Sequence, residues 1–233
     1  MTWTDADQER AIRGQALSIA LAVAPFGVAF GVACSEAGLS VWEAIGFSTL
    51  VFSGSAQFAA VSVLADGGTA VAAVTSGLLL NLRSLAFGVA MAGALKGPVW
   101  WRALTAQLMI DESTAVGSVQ RTDALKRYGY LAGGVAVFVL WNLTTVLGVS
   151  VLSSSEQLIE DLGIDATIPA AFLALLWPRL ADPTQRIIAA AGAVVALALV
   201  PISPAGVPII AAAAAVVLAR PWSDAPTERP VAS

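Results

Sequence analysis

The chain has 233 residues, 58% hydrophobic and only 12% charged, with a formal net charge of −4 and a mean hydropathy of +0.80. A soluble domain carries roughly twice that charged fraction, so a water-soluble globule is excluded, and the sparse, scattered Lys and Arg leave no nucleic-acid footprint. With one cysteine, Cys34, and no histidine, an internal disulfide, a structural zinc site and a haem are all without support, so no cofactor is expected.

Residues 1–13 (MTWTDADQERAIR) are polar and of mixed charge, with no small-residue cleavage site after an apolar stretch. They read as a cytosolic lead-in rather than a cleaved signal peptide. Eight hydrophobic segments follow, near 15–35, 42–65, 68–95, 99–119, 129–152, 166–180, 185–202 and 206–220. The uncharged runs at 14–35, 44–65 and 129–155 each reach the roughly 20 residues that a helix needs to cross a ~30 Å hydrocarbon core, and none alternates as a barrel strand would. The expected fold is therefore all-α, a polytopic membrane helix bundle. A single transport-type domain would occupy 14–220, with a polar tail at 221–233.

Lys and Arg near helix ends set the orientation. Arg10, Arg13, Arg121, Lys126, Arg127, Arg179, Arg186 and Arg220 fall on one side of an eight-span arrangement, which makes the N-terminus cytoplasmic. The acidic loop 153–165 falls on the other side. Lys96 and Arg102 break the rule. Several segments look discontinuous: 166–180 has only 13 uncharged residues between Asp165 and Arg179, and 206–220 follows a Pro-rich turn, so either could be re-entrant. No repeat between the two halves is visible in the sequence.

The stretch FSGSAQF (52–58) puts Ser53, Gly54, Ser55 and Gln57 near the middle of an otherwise lipid-soluble segment. Such a break either kinks the helix or presents a half-helix N-terminus, whose free N–H groups and positive dipole end hold an anion such as a carboxylate. Asn81 and Arg83 lie at the centre of the third segment. An arginine at that depth costs at least about 2.5–3.5 kcal/mol and needs a carboxylate, carbonyls or water. Asp111 and Glu112 are the natural partners. If the fourth helix starts near Trp100, they stand roughly 15 Å along it, and adjacent positions point about 100° apart, so only one of the two can face a given partner. A buried carboxylate is the candidate proton carrier in a chain without histidine. Asn142, Thr144 and Thr145 read as helix–helix glue, and the pairs Gly27/Gly31 and Gly129/Gly133 as close-packing positions.

With PFGVAFGVA (25–33), Gly38, FSGSAQF (52–58), NLR (81–83), DES (111–113) and the stretch from Trp141 to Gly148 in place, the chain resembles the AzlC family of branched-chain amino acid exporters. The resemblance implies the large subunit of a two-subunit exporter in a bacterial inner membrane. It would move valine, leucine, isoleucine or other hydrophobic amino acids under a proton gradient, beside a small AzlD-type membrane subunit. The family motifs fall on Ser53, Gly54, Ser55, Gln57, Asn81 and Arg83, read as substrate-binding, and on Asp111 and Glu112, read as proton-coupling. The competing readings are a channel or scaffold subunit and an intramembrane enzyme. The enzyme reading has neither a base partner nor a G-x-S-x-G elbow, and no P-loop points to an ATP-driven pump.

Overall fold

The computed structural model describes residues 5–151, 173, 176–204 and 206–219. All regular structure among them is helical, as the composition requires of a membrane chain without barrel alternation. Helix α1 (Asp5–Glu36) already includes most of the polar lead-in, so Arg10 and Arg13 lie on its first turns. Its Pro25 removes one backbone donor without ending the helix.

Helix α8 (Asp123–Ser150) is the partner of α1. A Cβ on Gly27 would press on Thr144, one on Gly31 on the Thr145 carbonyl, and one on Gly148 on the Val28 carbonyl. Missing side chains therefore bring the two backbones into contact, the role the glycine spacing implies. The early turns of α1 (Gln8, Ile12, Gln15) share a cavity with Gln120, Arg121 and Leu125 at the start of α8. The pair is thus parallel, and both helices start on one side of the molecule, the N-side.

Segment 42–65 enters from the far side, goes halfway and returns. Helix α2 (Val41–Leu50) opens on a Ser40/Glu43 capping box and runs inward. Helix α3 (Gly54–Ala65) comes back along it: the Gln57 amide donates to the Ser48 carbonyl at 3.2 Å, and Phe47 packs on Ala60 and Val63. At 10 and 12 residues the two helices reach about 15 and 18 Å, too short to cross.

Helices α4 (Ala70–Asn81) and α5 (Arg83–Met91) form one 22-residue span, interrupted only at Leu82. Helix α4 lies antiparallel on α3, with Gly77 over the Ala56 carbonyl and Ala73 beside Ala60 and Val63. The span ends on the N-side, where Met91 packs on Tyr130.

Segment 99–119 is a second re-entrant hairpin, entering from the N-side. Helix α6 (Val99–Ala106) climbs beside the start of α8: the Arg127 guanidinium sits 4.8 Å from the Trp101 ring, and the Tyr130 hydroxyl donates to the Thr105 carbonyl at 2.6 Å. Helix α7 (Asp111–Ser118) descends again, with Ser113 facing Gly133, and Val116 and Gly117 facing Gly129.

The chain to Ser150 thus reads span, hairpin, span, hairpin, span, and the second span–hairpin pair runs in the opposite sense to the first. The three spans are the three helices among the described residues that are long and apolar enough to cross a membrane. Both hairpin tips stop near the middle of α8, with Leu108 on Gly134, Phe52 on Phe138 and Gly54 on Trp141. This differs from eight successive crossings, because 42–65 and 99–119 each break at a polar or irregular stretch and fold back.

One consequence concerns charge. Since 99–119 does not cross, Lys96 and Arg102 lie on the same side as Arg10, Arg13, Arg121, Lys126 and Arg127, while Glu36, Glu43 and Asp66 lie opposite. The exceptions to the charge rule disappear. Cysteines placed singly at Lys96 and Arg121 should react with a membrane-impermeant maleimide from the same side of sealed vesicles, and one at Asp66 from the other. Labelling of 96 and 121 from opposite sides would make 99–119 a true span.

After a 3₁₀ turn (Trp177–Ala181), helix α9 (Pro183–Leu199), capped by Asp182, and helix α10 (Val207–Ala219) form an antiparallel pair. It meets the rest at α3 and α4: Gly206, at φ 90°, turns against Val63 and Ala72. The acidic loop 153–165, most of segment 166–180 and the tail 221–233 lie outside the described residues.

Candidate functional site

The two tips build the site from opposite directions. At the first, Val51–Ser53 leave the helical conformation, with Ser53 extended at φ −159° and ψ 103°. This ends α2 with carbonyls that have no helical donor. Two glutamines supply donors: Gln57 reaches the Ser48 carbonyl at 3.2 Å, and Gln107, from the other tip, reaches those of Thr49 at 2.7 Å and Leu50 at 3.2 Å. Helix α3 then starts at Gly54 with no side-chain cap from Ser53, leaving its first-turn N–H groups available. Gly54 suits the tight approach there, since a Cβ would stand 3.1 Å from the Trp141 ring and the ring would have to give way.

At the second tip Ser113 Oγ donates to the Leu108 carbonyl at 2.6 Å and accepts from the Ile110 N–H at 3.2 Å. That bracket fixes the turn and starts α7 at Asp111. The interruption at Leu82 sets Arg83 at the start of α5, at the same depth.

Three elements then meet at one guanidinium. One Arg83 terminal nitrogen donates to Asp111 Oδ2 at 2.7 Å, and the other to Ser55 Oγ at 2.8 Å. The two charged side chains keep 30% and 29% of their surface exposed, and both line a cavity of about 60 Å³. By the space one water needs, that holds roughly four to six water-sized positions. Gly54, Ser55, Arg83, Asp111 and Glu112 form its polar end, and Val23, Phe26, Phe58, Ile110, Val137 and Trp141 its apolar wall. Glu112 lines the same cavity and makes no ion pair among the described residues.

The sequence-derived residues divide accordingly. Gly54, Ser55, Arg83, Asp111 and Glu112 converge on the cavity. Ser53 is buried behind the tip, and Gln57, fully buried, turns its amide to the α2 carbonyl rather than to the cavity. Asn81 lies in a separate apolar groove with Phe47, Val51 and Leu78, and its Oδ1 accepts from Ser84 at 2.8 Å. Thr145 joins α2 to α8 through Ser48 at 3.4 Å, whereas Asn142 and Thr144 bond carbonyls of their own helix. Sequence reasoning missed Gln107. Its only signal was an amide in the apolar run AQLMI, four residues before Asp111.

Comparison with known proteins identifies the family. The family described as "AzlC protein" matches residues 18–154, which hold both hairpins and all the cavity-lining residues. An uncharacterized membrane protein of Archaeoglobus fulgidus is 32% identical over 212 residues, covering 88% of this chain and 90% of the relative. No solved structure matches.

Proposed function

Since the chain belongs to the AzlC family, we propose that it is the transport subunit of a secondary exporter for valine, leucine, isoleucine and similar hydrophobic amino acids. Transport is driven by the proton gradient and completed by a small AzlD-type membrane subunit. The observation that carries this reading is a small, mostly apolar cavity at mid-membrane, with a half-helix N-terminus and an unpaired carboxylate at its polar end. The substrate carboxylate is held by the first-turn N–H groups of α3, where the dipole end and unbonded donors attract an anion. Its ammonium group faces Glu112, and its aliphatic side chain lies against Phe26, Phe58 and Trp141. The cations gathered on the N-side support a cytoplasmic N-side, and this reading sets the protein in a bacterial inner membrane.

Asp111 and Glu112 take different roles. Asp111 is committed to Arg83 at 2.7 Å, so it holds the tips in register. Glu112 is the proton carrier: ionised it attracts the ammonium group, and protonated it releases it. Proteoliposomes loaded with labelled valine should show saturable efflux that depends on an imposed pH gradient. Glu112→Gln, which mimics the protonated form, should weaken valine binding about tenfold or more, in line with loss of a charge-assisted contact, and flatten the pH profile of flux. An unchanged pH profile in Glu112→Gln would remove Glu112 from this role, and non-saturable flux would point to a channel.

A further inference from the structure

We infer that the two hairpins are the two gates of one pathway, and that Gln107 is the interlock holding them shut against each other. The inference rests on the transport reading. Hairpin α2–α3 fills the half of the membrane opposite the N-side, and hairpin α6–α7 fills the N-side half. Their tips meet at the cavity. A solute in that cavity leaves on one side only if the first hairpin moves away, and on the other only if the second does. The inverted arrangement of the two span–hairpin pairs makes the two movements equivalent.

The framework separates a fixed part from a movable part. Helices α1 and α8 touch backbone to backbone through Gly27, Gly31 and Gly148, so sliding them would disrupt many packed contacts at once. The tips are joined mainly by side-chain hydrogen bonds. Arg83 holds Ser55 and Asp111 on the cavity side. On the outer side, the exposed Gln107 amide spans from its own tip to the Thr49 and Leu50 carbonyls of the other. Each ordinary hydrogen bond contributes little net stability, so this link can open and re-form in each cycle. While closed, it also satisfies carbonyls that would otherwise be unpaired at mid-membrane. Opening either gate must break it, and it can reclose only when both tips are back in place.

Two measurements test this in a Cys34→Ala background. In Val23→Cys protein, a cavity-wall thiol reports access by an impermeant thiol reagent from each side of sealed vesicles. Adding Gln107→Leu should raise its labelling rate from both sides by about fivefold to thirtyfold, the range that one to two ordinary hydrogen bonds represent. In Leu50→Cys/Gln107→Cys protein, a short, cleavable bis-thiol crosslinker should stop valine flux, and cleavage of the linker should restore it. Full flux with the tips joined, or unchanged access in Gln107→Leu, overturns the interlock. If no valine moves even with the tips free, the substrate assignment fails instead, and the access measurement still decides the gates.

Discussion

Arg83→Ala should abolish transport and sharply reduce the amount of folded protein. The substitution leaves Asp111 charged at mid-membrane and removes the donor that Ser55 meets. Breaking a buried ion pair from one side costs about 3–5 kcal/mol. The 30% and 29% exposure of the two side chains lets water screen part of that loss, so the lower end of that range applies. Detergent-solubilised protein followed by fluorescence-detected size exclusion over a temperature ramp would read the change. Arg83→Met combined with Asp111→Leu replaces both charges with apolar side chains of similar size, which is often neutral or stabilising. That double variant should recover folding but not flux. Full yield and flux from Arg83→Ala alone would show that neither the pair nor the cation matters.

Gly31→Ala should be among the most damaging single added methyls at the described glycines, with Gly148→Ala beside it. The Cβ at Gly31 would fall on the Thr145 carbonyl oxygen and close to the Val149 backbone nitrogen at 2.7 Å. Neither is a side chain that can swing away, so α1 and α8 would have to separate. Overpacking typically costs about 1–3 kcal/mol and more where backbone must move; here the expected loss is about 3 kcal/mol or greater. Gly46→Ala is the control. Nothing lies within 4 Å of its missing Cβ, so its stability should hold or rise by about 0.5–1 kcal/mol, as expected when alanine replaces glycine inside a helix. Equal melting temperatures for the two variants would mean that the α1–α8 crossing does not hold the fold.

How much of this was legible in the sequence depended on the range of the signal. Local signals held: the break at Ser53–Gly54, the depth of Arg83 and Asp111, and the packing glycines all follow from residue type and spacing. What failed to appear was direction. An apolar run of about 20 residues satisfies the length rule whether it crosses once or goes in and comes back, and only contacts such as Arg127 on Trp101 separate the two. The anomalous Lys96 and Arg102 were the available clue, since a re-entrant 99–119 is the arrangement that removes the anomaly. The inverted repeat was invisible for a related reason: FSGSA and MIDES occupy the same place in their hairpins with unrelated side chains. Gln57 was misplaced because a glutamine beside a broken helix serves equally well to cap carbonyls or to bind a ligand. Burial decided for the carbonyl.

The short hairpins also bear on how the protein is made. Neither α2–α3 nor α6–α7 can be released into lipid as a finished unit, because each carries a turn whose polar backbone needs a neighbour. The first hairpin leaves the ribosome long before two of its neighbours exist: Gln107 from the second tip, and the Phe138–Trp141 surface of α8. It must therefore wait at the membrane surface or inside the insertion machinery until about 75 more residues, counting from Ala65 to Trp141, have been synthesised. Assembly order is thus set by a later span: α8 is the keystone on which both earlier hairpins close.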